Sequence, residues 1–104
     1  MAWFILIVAG ILEVVWAASM KESDGFSRLW PSLVTLVAML ASVGLLALAM
    51  RSLPLGTAYA VWTGIGAVGA FLVGIAFLGE AASLGRILAA SLIVSGLIVM
   101  KLAE

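Results

Sequence analysis

Four apolar runs separated by short polar interruptions set the pattern of this chain. Residues 1–20 hold one charge, Glu13. Residues 29–50 and 52–79 hold none, and 87–100 form a shorter uncharged run between Arg86 and Lys101. A membrane-spanning helix needs about 20 mostly apolar residues. Long Arg and Lys stems can snorkel from helix ends, so Arg86 and Lys101 fit a fourth helix reaching from Leu84 to Leu102. The pattern predicts an all-α integral membrane protein with four transmembrane helices. They fall at about residues 2–20, 31–50, 55–78 and 84–102, in one transmembrane domain covering 1–104.

The interruptions agree with these boundaries. Lys21-Glu22-Ser23-Asp24-Gly25 is the most polar stretch and carries a turn signal. Pro31 and Pro54 fall near helix starts, where a missing N–H costs little. Ser83 suits the N-cap of the last helix. A cleaved leader is the rival reading of residues 1–20. No Lys or Arg precedes that run and Glu13 interrupts it, so a retained helix is expected.

Composition narrows the chemistry. The 104 residues are 66% hydrophobic and 10% charged, against about 25% charged in soluble domains. Five Lys/Arg balance five Asp/Glu, which leaves no basic field for nucleic acid. With no His and no Cys, disulfides, Cys/His zinc sites and His-based triads are excluded. No nucleophile–base pair or metal set is present, so neither an enzyme nor a cofactor is expected.

Orientation is nearly undecided. Four spans put both termini on one side, with Arg51 and Lys101, while Lys21, Arg28 and Arg86 lie on the other. Two against three gives the positive-inside rule little to act on. Either this weak bias suffices, or the chain inserts both ways and pairs antiparallel.

Glu13 is the charge out of place. It lies about 11 residues into the first helix, roughly 16 Å deep in a ~30 Å hydrocarbon core. A carboxylate there is costly unless paired, hydrated or protonated, and intramembrane acids default to function. The rival is a protonated Glu acting as interhelical glue. Gly10 and Ala17, at i−3 and i+4, leave space on its face, and Trp16 stands at i+3. Trp3 and Trp30 read as interfacial belt residues, whereas Trp16 and Trp62 lie inside spans. Tyr59, Trp62, Thr63 and Gly66 share one side of helix 3. Ser32, Thr35, Met39 and Ser42 recur along helix 2, facing protein or water unless the hydroxyls bond back within their own helix. A carboxylate ringed by aromatics and hydroxyls suits a small organic cation.

The glycines read chiefly as packing. Gly56, Ala60 and Gly64, and Gly66, Ala70 and Gly74, form small-xxx-small rows. Gly64, Gly66 and Gly69 also concentrate weak helix propensity mid-span, a candidate hinge. Helix 4 carries Ala89, Ala90, Ser91, Ser95 and Gly96 without an acid or aromatic, and reads as a packing helix, with a dimer interface open to it. Four thin helices hardly enclose a gated cavity. A homodimer would bring two Glu13 carboxyls together as a coupled pair, able to exchange two protons for one cation. Antiparallel pairing would make its two openings equivalent.

Gly10-Ile11-Leu12-Glu13-Val14-Val15-Trp16-Ala17, then Lys21 and Gly25-Phe26-Ser27-Arg28, resembles the small multidrug resistance transporters. So does Leu53-Pro54-Leu55-Gly56-Thr57-Ala58-Tyr59-Ala60-Val61-Trp62-Thr63-Gly64-Ile65-Gly66. Trp16, three residues after the Glu, and Thr57 look like the guanidinium exporter subtype; the quaternary-ammonium subtype typically has Gly at the position of Trp16. The resemblance implies an antiparallel, dual-topology homodimer in the bacterial inner membrane, exporting guanidinium against protons. Glu13 would bind both, within a pocket of Gly10, Trp16, Ser42, Tyr59 and Trp62. Ser42 would orient Glu13, and Trp16 would hold the second carboxylate or wall the pocket. Helix 4 would form the seam through Leu92, Ile93 and Gly96, with Ala89 where some relatives have Gly. Two alternatives stay open: a quaternary-ammonium antiporter of the same family, and a non-transport assembly subunit or ring proton carrier. The ring reading fits two-helix hairpins better and leaves Trp16, Tyr59 and Trp62 unexplained, and an assembly subunit leaves the poised acid unexplained.

Overall fold

The computed structural model describes residues 1–103. It contains four helices: α1 (Ala2–Glu22), α2 (Leu29–Ala49), α3 (Leu55–Phe77) and α4 (Leu84–Ala103). Each is long and apolar enough to cross a membrane. α2 starts before Pro31 because Pro31 falls in its first turn, where backbone N–H groups have no intrahelical acceptor. Pro54 is the N-cap of α3. Ser83 caps α4, its hydroxyl accepting from Arg86 N at 3.3 Å. The α1–α2 turn folds around buried Ser23, which donates to Met20 O at 2.7 Å and accepts from Phe26 N at 3.0 Å. That turn holds Asp24, Gly25 and Phe26 at φ 50°, 72° and 66°. Gly25 takes this left-handed conformation without a Cβ penalty, unlike its two neighbours.

The chain is a slab of 40 × 34 × 16 Å. α1 is central, packed between α2 and α3, and the backbone of α4 comes close to that of α3 alone. The core is one-sided. Leu6, Ala9, Leu46, Ala49, Ala58, Val61 and Trp62 cluster where the start of α1 meets the end of α2 and the start of α3. α4 buries no residue.

Between helices in lipid the hydrophobic effect gives little drive, so close backbone approach must hold them. The glycines supply it. A Cβ on Gly10 would lie 2.6 Å from Ile65 Cγ2, and one on Gly64 2.7 Å from Leu97 Cδ2. One on Gly69 would collide with Val14. α3 runs unbroken through Gly64, Gly66 and Gly69, and all three are contact positions in this conformation. The 56–60–64 row is only partly used, because Gly56 meets nothing and Gly64 alone is tight.

Candidate functional site

Glu13 sits mid-helix on the face of α1 turned to α3. Its carboxyl occupies the space that a Cβ on Gly66 would take. Gly66 is therefore part of the site, and the reason is close approach. Oε1 of Glu13 is buried without a hydrogen-bond partner. One turn on, Nε1 of Trp16 is also buried and unpartnered. These two are the buried side-chain polar atoms left unpaired among the described residues. Such groups are costly when left alone, so each calls for a partner.

The second half of the site is a hydrogen-bond chain across three helices. Trp62 Nε1 of α3 donates to Ser42 Oγ of α2 at 3.0 Å, and Ser42 Oγ donates to the Ala9 carbonyl of α1 at 2.6 Å. Ala9 stands four residues before Glu13, so its carbonyl belongs to the turn that carries the acid. Tyr59 leans on Trp62, with ring centroids 5.6 Å apart and planes tilted by 52°. Tyr59 remains half-exposed while Trp62 is buried.

The expected residues thus fall into two groups. Glu13, Gly10 and Gly66 belong to the α1–α3 contact, Trp16 packs against the core one turn beyond the acid, and Ser42, Tyr59 and Trp62 form a linked cluster beside it. Ser42 does not bond Glu13: its one hydroxyl hydrogen goes to Ala9 O. The expected orienting bond is corrected to a brace on the backbone of the acid's own helix. The helix 2 stripe shrinks as well. Thr35 donates to Pro31 O at 2.7 Å and Ser32 to Arg28 O at 2.5 Å, so of its hydroxyls Ser42 alone reaches another helix. Thr63 is exposed, off the Trp62–Gly66 side. Ala89, Leu92, Ile93 and Gly96 all lie exposed on α4. Of the two expected belt residues, Trp3 has Lys101 Nζ 4.8 Å from its ring centroid, and Trp30 is exposed.

Sequence reasoning missed the Ala9 carbonyl, a backbone group with no side-chain signal, and Ile65, which fills the space over Gly10. The sequence marks Gly66 as a packing position and candidate hinge; its place on the Tyr59–Trp62 side is the signal for the site.

The family model for the Small Multidrug Resistance protein matches residues 1–93. The chain belongs to the small multidrug resistance family. A protein of Yersinia pseudotuberculosis serotype I named guanidinium exporter is 67% identical over 104 residues, all of both chains. Proteins with that name from Citrobacter freundii and Salmonella typhimurium are 57% identical over 103 residues, covering 99% of this chain and 98% of each relative. This small multidrug resistance protein is a multi-pass membrane protein with four spanning helices, placed as in its bacterial relatives in the inner membrane.

Proposed function

We propose that this chain exports guanidinium in exchange for protons, as an antiparallel homodimer built around two Glu13 carboxyls. The observation carrying the proposal is the pair of orphaned groups, Glu13 Oε1 and Trp16 Nε1. A carboxylate needs donors, and guanidinium is a planar cation whose paired N–H groups match carboxylate geometry. Trp16 needs an acceptor, which guanidinium cannot offer and a second copy's Glu13 can. An open array in which α2 barely meets α3 and α4 buries no residue supports the same reading, since it encloses nothing by itself. Two copies facing each other would close a chamber around both acids. The exposed face of α4, with Ala89, Leu92, Ile93 and Gly96, would supply the seam. Relatives named guanidinium exporters at 57–67% identity fit the choice of cation.

Transport would alternate between two occupied states. With both Glu13 side chains protonated the site is neutral and a cation gains little there. With both ionised, one guanidinium is bound and a single negative charge remains. Passing between these states moves two protons one way for one cation the other. Gly64, Gly66 and Gly69 would let α3 shift as the access side changes, because their contacts to Leu97, Glu13 and Val14 carry no side chain of their own.

Purified protein in sealed liposomes tests the exchange. A guanidinium gradient should drive proton movement with two protons per cation, and an electroneutral or proton-independent flux would reject it. A single engineered Cys in the α1–α2 turn should label from both faces of sealed cells. Labelling from one face alone would reject antiparallel insertion, for which the two-against-three charge count is the motive.

Selectivity is expected to rest on Trp16. It lies one turn from Glu13, is half-buried, and offers one N–H and a broad apolar ring. Trp16→Gly should weaken guanidinium binding and admit a bulky quaternary cation. Paired affinities for guanidinium and tetraphenylphosphonium decide the matter, and a folded variant with both unchanged would make Trp16 packing only.

A further inference from the structure

The α3–α4 connection folds back on α3. Glu80 N donates to Gly74 O at 3.0 Å, and the Glu80 carboxyl lies where a Cβ on Gly74 would sit. Arg86 reaches the same spot from the first turn of α4. Its Nη2 is 3.4 Å from Glu80 Oε1, its Nη1 donates to Ala81 O at 3.0 Å, and its Cζ lies 5.4 Å from the Phe71 ring centroid. One guanidinium group is therefore held by a carboxylate, a carbonyl and an aromatic ring. Any guanidinium is recognised by those three contacts.

Phe71, Glu80 and Arg86 edge a cavity of about 340 Å³ whose other wall includes Ala17, Ala67 and Ala70. Ala17 is one turn beyond Glu13, and Ala67 follows Gly66. The inner wall thus begins about 6 Å along the helix from the turn bearing the acid, at 1.5 Å per residue.

We propose that Glu80, with Phe71 and the Ala81 carbonyl, is a second, outer binding site for the same small planar cation, which takes the place held by the Arg86 head group. The inference rests on the reading of guanidinium as substrate. The Glu80 and Arg86 side chains are 41% and 44% exposed, and exposed pairs of this kind add little stability. Arg86 can swing into solvent, and a free guanidinium can take over its contacts with the same charge at the Glu80 carboxyl. Lys21, on the cavity wall, repels an arriving cation and keeps the site weak. A transfer station has to be weak, since it must release what it binds. Its product would be a raised cation concentration at the mouth of the cavity one turn from Glu13.

The chain has three arginines, Arg28, Arg51 and Arg86, so side-chain ¹⁵N-arginine NMR can follow Arg86 alone. In the full-length Glu13→Gln protein, guanidinium chloride should shift the Arg86 signal saturably. Potassium chloride at equal ionic strength should not, and adding Glu80→Gln should remove the response. In liposomes, Glu80→Gln on the otherwise unchanged chain should raise KM for guanidinium about three- to fivefold at unchanged kcat, the scale of one weak exposed contact. Glu80→Asp should restore it. A merely structural Glu80 would lower kcat or folding instead. The site is overturned if potassium shifts Arg86 equally, if the shift survives Glu80→Gln, or if KM is unchanged in a folded Glu80→Gln protein. Unmodified chain that moves no guanidinium overturns the proposed function and this site together; transport with a silent Arg86 overturns this site alone.

Discussion

Glu13→Gln should reduce guanidinium-driven proton release to the leak of empty liposomes. The amide keeps the size of the side chain and its packing against Gly66, so the fold should hold. What it loses is the ability to carry charge or exchange a proton. The described residues place no cation beside this carboxyl, since Lys21, Arg28, Arg51, Arg86 and Lys101 all lie at or beyond helix ends. The substrate cation is thus the natural counter-charge. The same logic fixes the sign of the pH effect. On the proposed exchange, protons and guanidinium would compete for the same oxygens, so apparent affinity should fall as pH falls and level off once both carboxyls are ionised. Calorimetric titration across pH measures it, and an affinity independent of pH would separate proton from cation binding. Proton flux persisting in folded Glu13→Gln would remove the carboxylate from the mechanism.

Much of this was legible because membranes impose simple rules. A spanning helix must satisfy its own backbone, so length and apolarity alone located α1 to α4. Glu13 stood out because charge at that depth is rare. Side-chain partners were harder to read. A serine in lipid can bond its own helix or another, and nothing in the residue type distinguishes Thr35, which bonds back to Pro31 O, from Ser42, which crosses to Ala9 O. The difference lies in what stands opposite: Ser42 faces Trp62 and a carbonyl of α1. Likewise Gly56 and Gly66 sit in equivalent small-residue rows, yet only Gly66 meets another helix's side chain. Spacing marks which faces permit contact, and the neighbouring helix decides which positions make it.

Two glycine substitutions should separate the substrate site from the dimer seam. A Cβ on Gly66 would fall on the Glu13 carboxyl, so Gly66→Ala must push the acid away or part α1 from α3. Overpacking of this kind costs about 1–3 kcal/mol, and a factor of ten in rate corresponds to about 1.4 kcal/mol. Guanidinium transport should fall by about five- to 140-fold on that scale, with dimerisation retained. Gly96 is the contrast. Within one chain a Cβ there meets nothing within 4 Å, and α4 packs on α3 without it. Gly96→Leu should leave the folded chain intact. If α4 pairs through Ala89, Leu92, Ile93 and Gly96, the larger side chain shifts the protein toward monomer and transport falls with dimer content. Single-molecule photobleaching in nanodiscs reads the oligomeric state, and guanidinium titration reads the site. Loss of dimer in Gly66→Ala, or an undisturbed dimer in Gly96→Leu, would move the seam away from this face of α4. A single chain exposing that whole face can then no longer be credited with a partner there, and the closure of the chamber around two Glu13 side chains would have to come from α1 and α2 instead.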